Sequence, residues 1–490
     1  MAKSHLFRSF GIAFLVSTGL AVQPTLADWP EQSVAIGAEE HPKIVAQFGG
    51  IIENEALSNY VAKVGGKMIA QTDRADELWT VSVLDTPVVN AFAVQGGYVY
   101  VTRGLLAIAN NEAELAGVLG HEIAHIVLGH GEERKKQENK VGIGVVIGTV
   151  LGGILGGGEG AADAIELSAK LAKGYMASHS KAQEYEADNL GVRLLAKAGY
   201  RPLAEADFLD QLSAKEALEL KVSGQQYNPN RVDFFATHPA TGKRIRKAIA
   251  EAEKAGFYAE YGDLNEAAYL RQIDGMIYGD TPREGYVRGL TFSHPEMKFT
   301  FTVPRGFVLE NSSFQVSATN NSGARFILDG EGVWDGEMTG YIKERWIPGI
   351  REFAEVSNVR RVRKTSIHGL DAATAKAVVS TDDGPRFAHL TAIRHGDMTI
   401  RITTLSHQQD VQSRDAMIVA AQTFRALADE EIAGLSPYFV RIKTVVPGDT
   451  FDQLSATMPL TNFRKAQFRA INGYGPGEAL QAGDLIKVIE

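Results

Sequence analysis

The run His121-Glu122-Ile123-Ala124-His125 places two imidazoles four residues apart, with a carboxylate beside the first. On a helix of 3.6 residues per turn, positions 121 and 125 stack on one face, so both rings can reach a single metal ion. Glu122 stands at the edge of that face, where it can take a proton from a metal-activated water. This is half of a hydrolytic zinc centre, which needs a third protein ligand and an open position besides. Downstream, Gln183-Glu184-Tyr185-Glu186-Ala187-Asp188 supplies candidates. Glu184 and Asp188 are spaced i, i+4 and share a face, which suits Glu184 as third ligand and Asp188 as the acceptor that orients the His121 ring. Glu186 is a rival on another face, and a solvated acidic helix face accounts for the spacing equally well. His130 falls five positions after His125, out of register with zinc motifs whose third histidine comes six positions on, and is expected to be structural or at the rim.

These side chains need helices to carry them. Asn111 followed by Glu114 is a capping-box pattern, residues 112–128 contain no proline, and Gly129 is placed to end the helix. Ser180 with Gln183 starts a second helix that Gly199 can close. Residues 190–198, 202–222 and 242–255 mix apolar and charged positions at helical spacing and are expected to complete the domain around the site. Between the two halves of the site lies a glycine-rich apolar run, residues 141–158 within an insertion over 141–160. So much glycine is poor helix material, so we expect a mobile segment that touches a membrane surface or covers the cleft, with a buried helical hairpin as the alternative.

The N-terminus sets a compartment. Lys3 and Arg8 precede an apolar run over residues 11–22, too short to span a bilayer, and Thr25-Leu26-Ala27 offers small residues for cleavage before Asp28. Residues 1–27 are read as a secretory signal peptide, which implies a periplasmic protein. No cysteine occurs anywhere, excluding a lipoprotein anchor, disulfides and thiol chemistry. The net charge of −9 argues against nucleic acid as a general partner. The basic run Arg360-Arg361-Val362-Arg363-Lys364 is the local exception and reads as a solvated strand or loop.

A chain of 490 residues exceeds what one core organises. Composition shifts after Gly279-Asp280-Thr281-Pro282: residues 298–304 and 399–403 alternate at period two and residues 410–427 look helical, predicting a separate α+β domain over 285–432. The predicted class for the whole is α+β: a mainly helical metal-binding domain with a small sheet over 28–280, the second domain, and a small unit over 438–490.

The order and spacing of Asn90-Ala91-Phe92-Ala93, Gly96-Gly97-Tyr98-Val99-Tyr100-Val101-Thr102-Arg103-Gly104, the HExxH motif, Glu184 with Asp188, and Thr237-His238-Pro239 resemble the zinc metalloendopeptidase family of CAAX prenyl proteases, membrane heat-shock proteases and periplasmic outer-membrane-assembly proteases. The resemblance spans roughly residues 35–255. It implies a zincin-type protease domain, one zinc ion held by His121, His125 and Glu184, and unfolded or misassembled envelope proteins as substrates. It also implies that the strand at 98–102 lies along the cleft, where an extended substrate could add to its edge. His238 would approach the metal and occupy its open position as a latch, with Arg244 near the cleft; a loop histidine packed before Pro239 is the alternative. No 34-residue repeat follows the protease domain. Instead, Pro447-Gly448-Asp449-Thr450, Asn472-Gly473 and Gly483-Asp484 within residues 438–490 resemble a LysM module, a βααβ unit that implies peptidoglycan as a partner, although Met458-Pro459 interrupts the smooth first helix of such modules.

Overall fold

The computed structural model describes residues 29–131, 179–223, 238 and 242–490, the last range apart from 255, 259, 313–314, 353, 382–383, 461–462 and 476. The expected signal peptide and the glycine-rich insertion at 141–160 lie outside the described residues, as do Thr237 and Pro239.

Helices α1 (Glu31–Gln47) and α2 (Glu55–Ile69) lead into a three-stranded sheet of β1 (Thr80–Leu84), β2 (Ala91–Val94) and β3 (Tyr98–Thr102). β3 is the middle strand, parallel to β1 through Thr80↔Tyr98 and antiparallel to β2 through Ala91↔Val101. This corrects the expectation of a substrate pairing with β3: both its edges are already bonded, and β2 holds the edge on the side that packs against the motif helix. Next come α3 (Arg103–Ile108) and α4 (Glu112–Val127), then α5 (Lys181–Lys197), α6 (Leu203–Ser223), α7 (Gly242–Lys254) and α8 (Glu266–Ile273). Asn111 caps α4 by accepting from the Glu114 N–H, and the Glu114 carboxylate accepts from the Asn110 N–H. Helix α5 starts on the expected Ser180–Gln183 capping box. Among the described residues no helix is long and apolar enough to cross a membrane.

After β4 (Ile277–Tyr278) the chain builds a second layered body. Strands β8 (Phe307–Asn311), β9 (Val316–Asn320), β10 (Arg325–Gly332), β11 (Val356–Ile367), β12 (Leu370–Thr381), β13 (Gly384–His395) and β14 (Met398–His407) form a seven-stranded antiparallel sheet in the order β11-β12-β13-β14-β10-β9-β8. One face packs on helical turns at 338–351 through Trp346, Tyr341 and Leu390. The other packs on helix α9 (Val411–Ala421) and a small sheet of β5 (Tyr286–Arg288), β6 (Thr291–His294), β7 (Phe299–Thr302) and β15 (Arg425–Ala426). The expected helix at 410–427 therefore ends early, because Phe424 is drawn into the core and the next two residues pair with β7.

Residues 438–489 form β16 (Tyr438–Thr444), α10 (Phe451–Ala456), α11 (Arg464–Ile471) and β17 (Leu485–Ile489), with β16 and β17 antiparallel. This unit is no free appendage. Phe468, Ile471, Ile486 and Val488 share one hydrophobic core with Leu119 of α4 and Tyr269 of α8, and β16 pairs with β4. The Lys487 ammonium is buried and donates to the carbonyls of Ala107, Ile108 and Ala109 at 3.1, 2.6 and 2.8 Å, satisfying the C-terminal end of α3 just before α4 begins.

Candidate active site

Helix α4 carries His121, Glu122 and His125, and α5 crosses it where two glycines meet: a Cβ on Gly191 would stand 3.3 Å from the His121 nitrogen and 3.4 Å from the Gly120 carbonyl carbon. That close approach lets short acidic side chains on α5 reach imidazoles on α4. His121 Nε2 and His125 Nε2 lie 3.0 Å apart. Glu184 Oε1 is 3.4 Å from His125 Nε2, and its Oε2 is 3.9 Å from His121 Nε2. His238 Nδ1 completes the group, 3.3 Å from His121 Nε2 and 3.1 Å from Glu184 Oε1. These four buried side chains each offer a donor atom within 4.8 Å of the others. A tetrahedral zinc with bonds of about 2.0–2.1 Å separates its nitrogen and oxygen ligands by roughly 3.3 Å, so the donor set fits such an ion.

The titration states fit it as well. Burial pulls the His125 pKa well below the usual histidine range, leaving a neutral ring with a lone pair to offer. Burial alone would push the Glu184 carboxyl up, but hydrogen bonds with His125 and His238 outweigh it and hold the group as a carboxylate. Glu122 is fully enclosed; burial raises its pKa, with His238 and His121 offsetting part of the rise. Its Oε1 stands 3.2 Å from His238 Nε2 without an aligned hydrogen bond.

Around this group sits a layer of orienting contacts. Asp188 Oδ1 lies 3.1 Å from His121 Nδ1. Arg244 on α7 does not line an open cleft: its Nη1 donates to Glu184 Oε2 at 2.6 Å, its Nη2 to Asp188 Oδ1 at 3.0 Å, and its Nε to Asp188 Oδ2. It therefore braces both acidic residues of α5 from behind. Glu186, the rival ligand, is exposed and turns away toward His130. His130, expected to be structural or at the rim, is buried with Nδ1 2.9 Å from His125 Nδ1 and Nε2 3.2 Å from Glu186 Oε2. Two residues escaped sequence reasoning: His179, whose ring stacks on His125 with centroids 3.9 Å apart, and Glu205 on α6, a buried carboxyl near Asp188 and His121 whose pKa burial drives well up. His179 stands just before the Ser180 cap, a position that could have marked it; nothing local marked Glu205.

The model of the family described as Peptidase family M48 matches residues 55–252, which span the sheet, α4, α5 and α7. This domain belongs to peptidase family M48. The chain is 31% identical over 193 residues to the mitochondrial metalloendopeptidase OMA1 of Schizosaccharomyces pombe, covering 38% of this chain and 51% of that protein. It is 32% identical over 170 residues to the human mitochondrial metalloendopeptidase OMA1, covering 34% and 31%. It is 25% identical over 210 residues to the beta-barrel assembly-enhancing protease of Escherichia coli K12, covering 42% and 40%. The chain thus spans about half the length, or less, of these curated relatives.

Proposed function

We propose that the chain is a zinc-dependent endopeptidase of the bacterial periplasm that hydrolyses unfolded or stalled envelope proteins. The observation that carries this reading is the convergence of His121, His125 and Glu184, from two helices, with the buried carboxyl of Glu122 beside them. Held by those three side chains, zinc would supply a Lewis acid that acidifies a water and polarises the scissile carbonyl. Glu122 accepts the proton of the attacking water and returns it to the leaving amine, and its raised pKa brings it closer to the working pH of a general base. Asp188 and Arg244 hold the ligand side chains in place, and enclosure keeps bulk water from the reacting atoms. The envelope substrates rest on the signal-peptide reading and on the relative named as a beta-barrel assembly-enhancing protease. The 438–490 unit leaves Val446, Pro447 and Gly448 exposed while docked, which supports peptidoglycan contact through that end.

His238 gives the reading its regulation. Its Nδ1 lies at the fourth corner of the donor group, the position a water must occupy for turnover, which supports reading His238 as a latch that has to withdraw. The test is Glu122→Gln, which should retain zinc by metal analysis while cleavage of a casein-type substrate falls at least a hundredfold. A variant that still cleaves normally removes the mechanism. In parallel, His238→Ala should raise basal turnover, and unchanged activity together with unchanged metal affinity removes the latch.

A further inference from the structure

The seven-stranded sheet carries a polar row that the protease centre does not use and that ends, beyond Thr404, against Phe326 of the core under α9. Directly opposed residues in a sheet project to the same side. Arg360 opposes Lys376, Lys376 opposes His389, and His389 opposes Thr404. In the next row Arg363 opposes Thr374, and in the row on the other side Phe387 opposes Ser406. One face therefore runs from cations on β11 and β12, through an imidazole on β13, to hydroxyls on β14. Helix α9 roofs this face over β14, whereas over β12 Lys376 and Val378 remain half-buried and on β11 Arg360 and Arg363 are exposed.

Elsewhere on the sheet Arg401 pairs with Asp329 and Glu331, and Lys364 with Glu337. Arg360, Arg363 and Lys376 form no ion pair with a carboxylate among the described residues, and the Arg360 guanidinium donates only to the Asn358 amide oxygen. Further along the same face, on β14 under α9, Thr404 Oγ1 and Ser406 Oγ belong to residues 1% and 0% exposed and have no hydrogen-bond partner among the described residues. His389 between them is buried, and its pKa falls to about 4 through burial and then the charges of Lys376 and Arg363. At neutral pH it is an uncharged ring whose Nδ1 lies 3.3 Å from Thr391 Oγ1, so that Nε2 is the nitrogen left to meet a ligand.

Cations on an outermost strand commonly serve to block edge-to-edge association, and β11 is outermost. That accounts for Arg360 and Arg363. It does not account for Lys376 one strand inward, nor for two enclosed hydroxyls without partners, which weaken a fold unless something completes them. The geometry points to an anion-binding site along this face, with Arg360, Arg363 and Lys376 on its open side and His389, Thr404 and Ser406 on the side toward α9, built for a phosphate group. A phosphate presents several acceptor oxygens to cations and neutral donors at once, and no carboxylate stands in the row to repel it. The same group can arrive free or as a lipid headgroup.

The test uses the full chain with two probes: inorganic phosphate by titration calorimetry, and vesicles of phosphatidylcholine with or without phosphatidylglycerol by co-sedimentation. Saturable phosphate binding is expected, about tenfold weaker in Lys376→Ala and severalfold weaker in Thr404→Val. The second variant keeps the side-chain shape and removes an unpartnered hydroxyl, so its thermal stability should equal or exceed that of the wild type. Vesicle binding that requires phosphatidylglycerol and is displaced by phosphate identifies a headgroup as the source; phosphate binding without vesicle binding identifies free phosphate. Failure of both probes to bind, or binding that both variants leave unchanged, overturns the site.

Discussion

Replacing Arg244 by methionine keeps most of the side-chain volume and removes the cation that braces the centre. The guanidinium makes hydrogen bonds to Glu184 at 2.6 Å and Asp188 at 3.0 Å, with a further one to Asp188, and both carboxyl groups are inaccessible to solvent. Taking one partner from a buried ion pair leaves the other charge uncompensated, a loss of about 3–5 kcal/mol. For a body of this size that corresponds to a fall of roughly 6–20 °C in melting temperature. The size of the fall should depend on metal, because a divalent ion also faces Glu184 and can replace part of the missing charge. Thermal unfolding followed by circular dichroism, on chelator-stripped and zinc-loaded protein, separates the two effects. Stripped Arg244→Met should show the full drop, and zinc should raise its midpoint by more than it raises the wild type. A stripped variant within about 2 °C of wild type, or equal zinc increments in both proteins, would refute the argument that Arg244 balances the ligand carboxylates.

His130→Ala removes the group 2.9 Å from His125 Nδ1 and should weaken zinc binding about tenfold to a hundredfold in competition with a chromophoric chelator; unaltered affinity would make the contact incidental. Lys487→Met removes the ammonium from three buried carbonyls, of which Ile108 keeps a second donor, Gln211 Nε2 at 3.1 Å. Because burial already pulls that ammonium's pKa down to about 7, relief of its desolvation returns part of the loss, and a net decrease of about 2–4 kcal/mol in urea unfolding is expected. A decrease below about 1 kcal/mol would mean that water satisfies the carbonyls as well.

What could be read from the sequence was what is local. The spacing of His121 and His125, the Asn111–Glu114 cap and the Ser180–Gln183 box act within one or two helical turns, and the helices formed where those signals put them. Glu184 and Asp188 share a face for the same reason, but their convergence on α4 depends on the Gly120–Gly191 crossing, which no periodicity reports. The motif register sets His130 aside as a metal ligand and leaves it structural or at the rim, without choosing between them; Gly129, at a φ of +72°, turns the chain back so that its ring meets that of His125. The place of Arg244 behind the carboxylates required the packing of α7 on α5. In the middle domain, period-two alternation at 399–403 located a strand, yet β14 is buried on both faces from Thr399 to Ser406, so its alternation reflects apolar and hydroxyl sides of two cores and not core against solvent. The shared core of the 438–490 unit was invisible because every contact that makes it spans more than a hundred residues.

The reach of Lys487 across 380 positions to the end of α3 has a bearing on the order in which the domain can be completed. A growing polypeptide can form α4 and gather its imidazoles early, but the floor beneath that helix is missing its ammonium plug, and Ile486 and Val488 with it, until the far strand has been made and threaded home. The packing around the helix that carries His121 and His125 is thereby completed only by residues lying some 380 positions further along the chain.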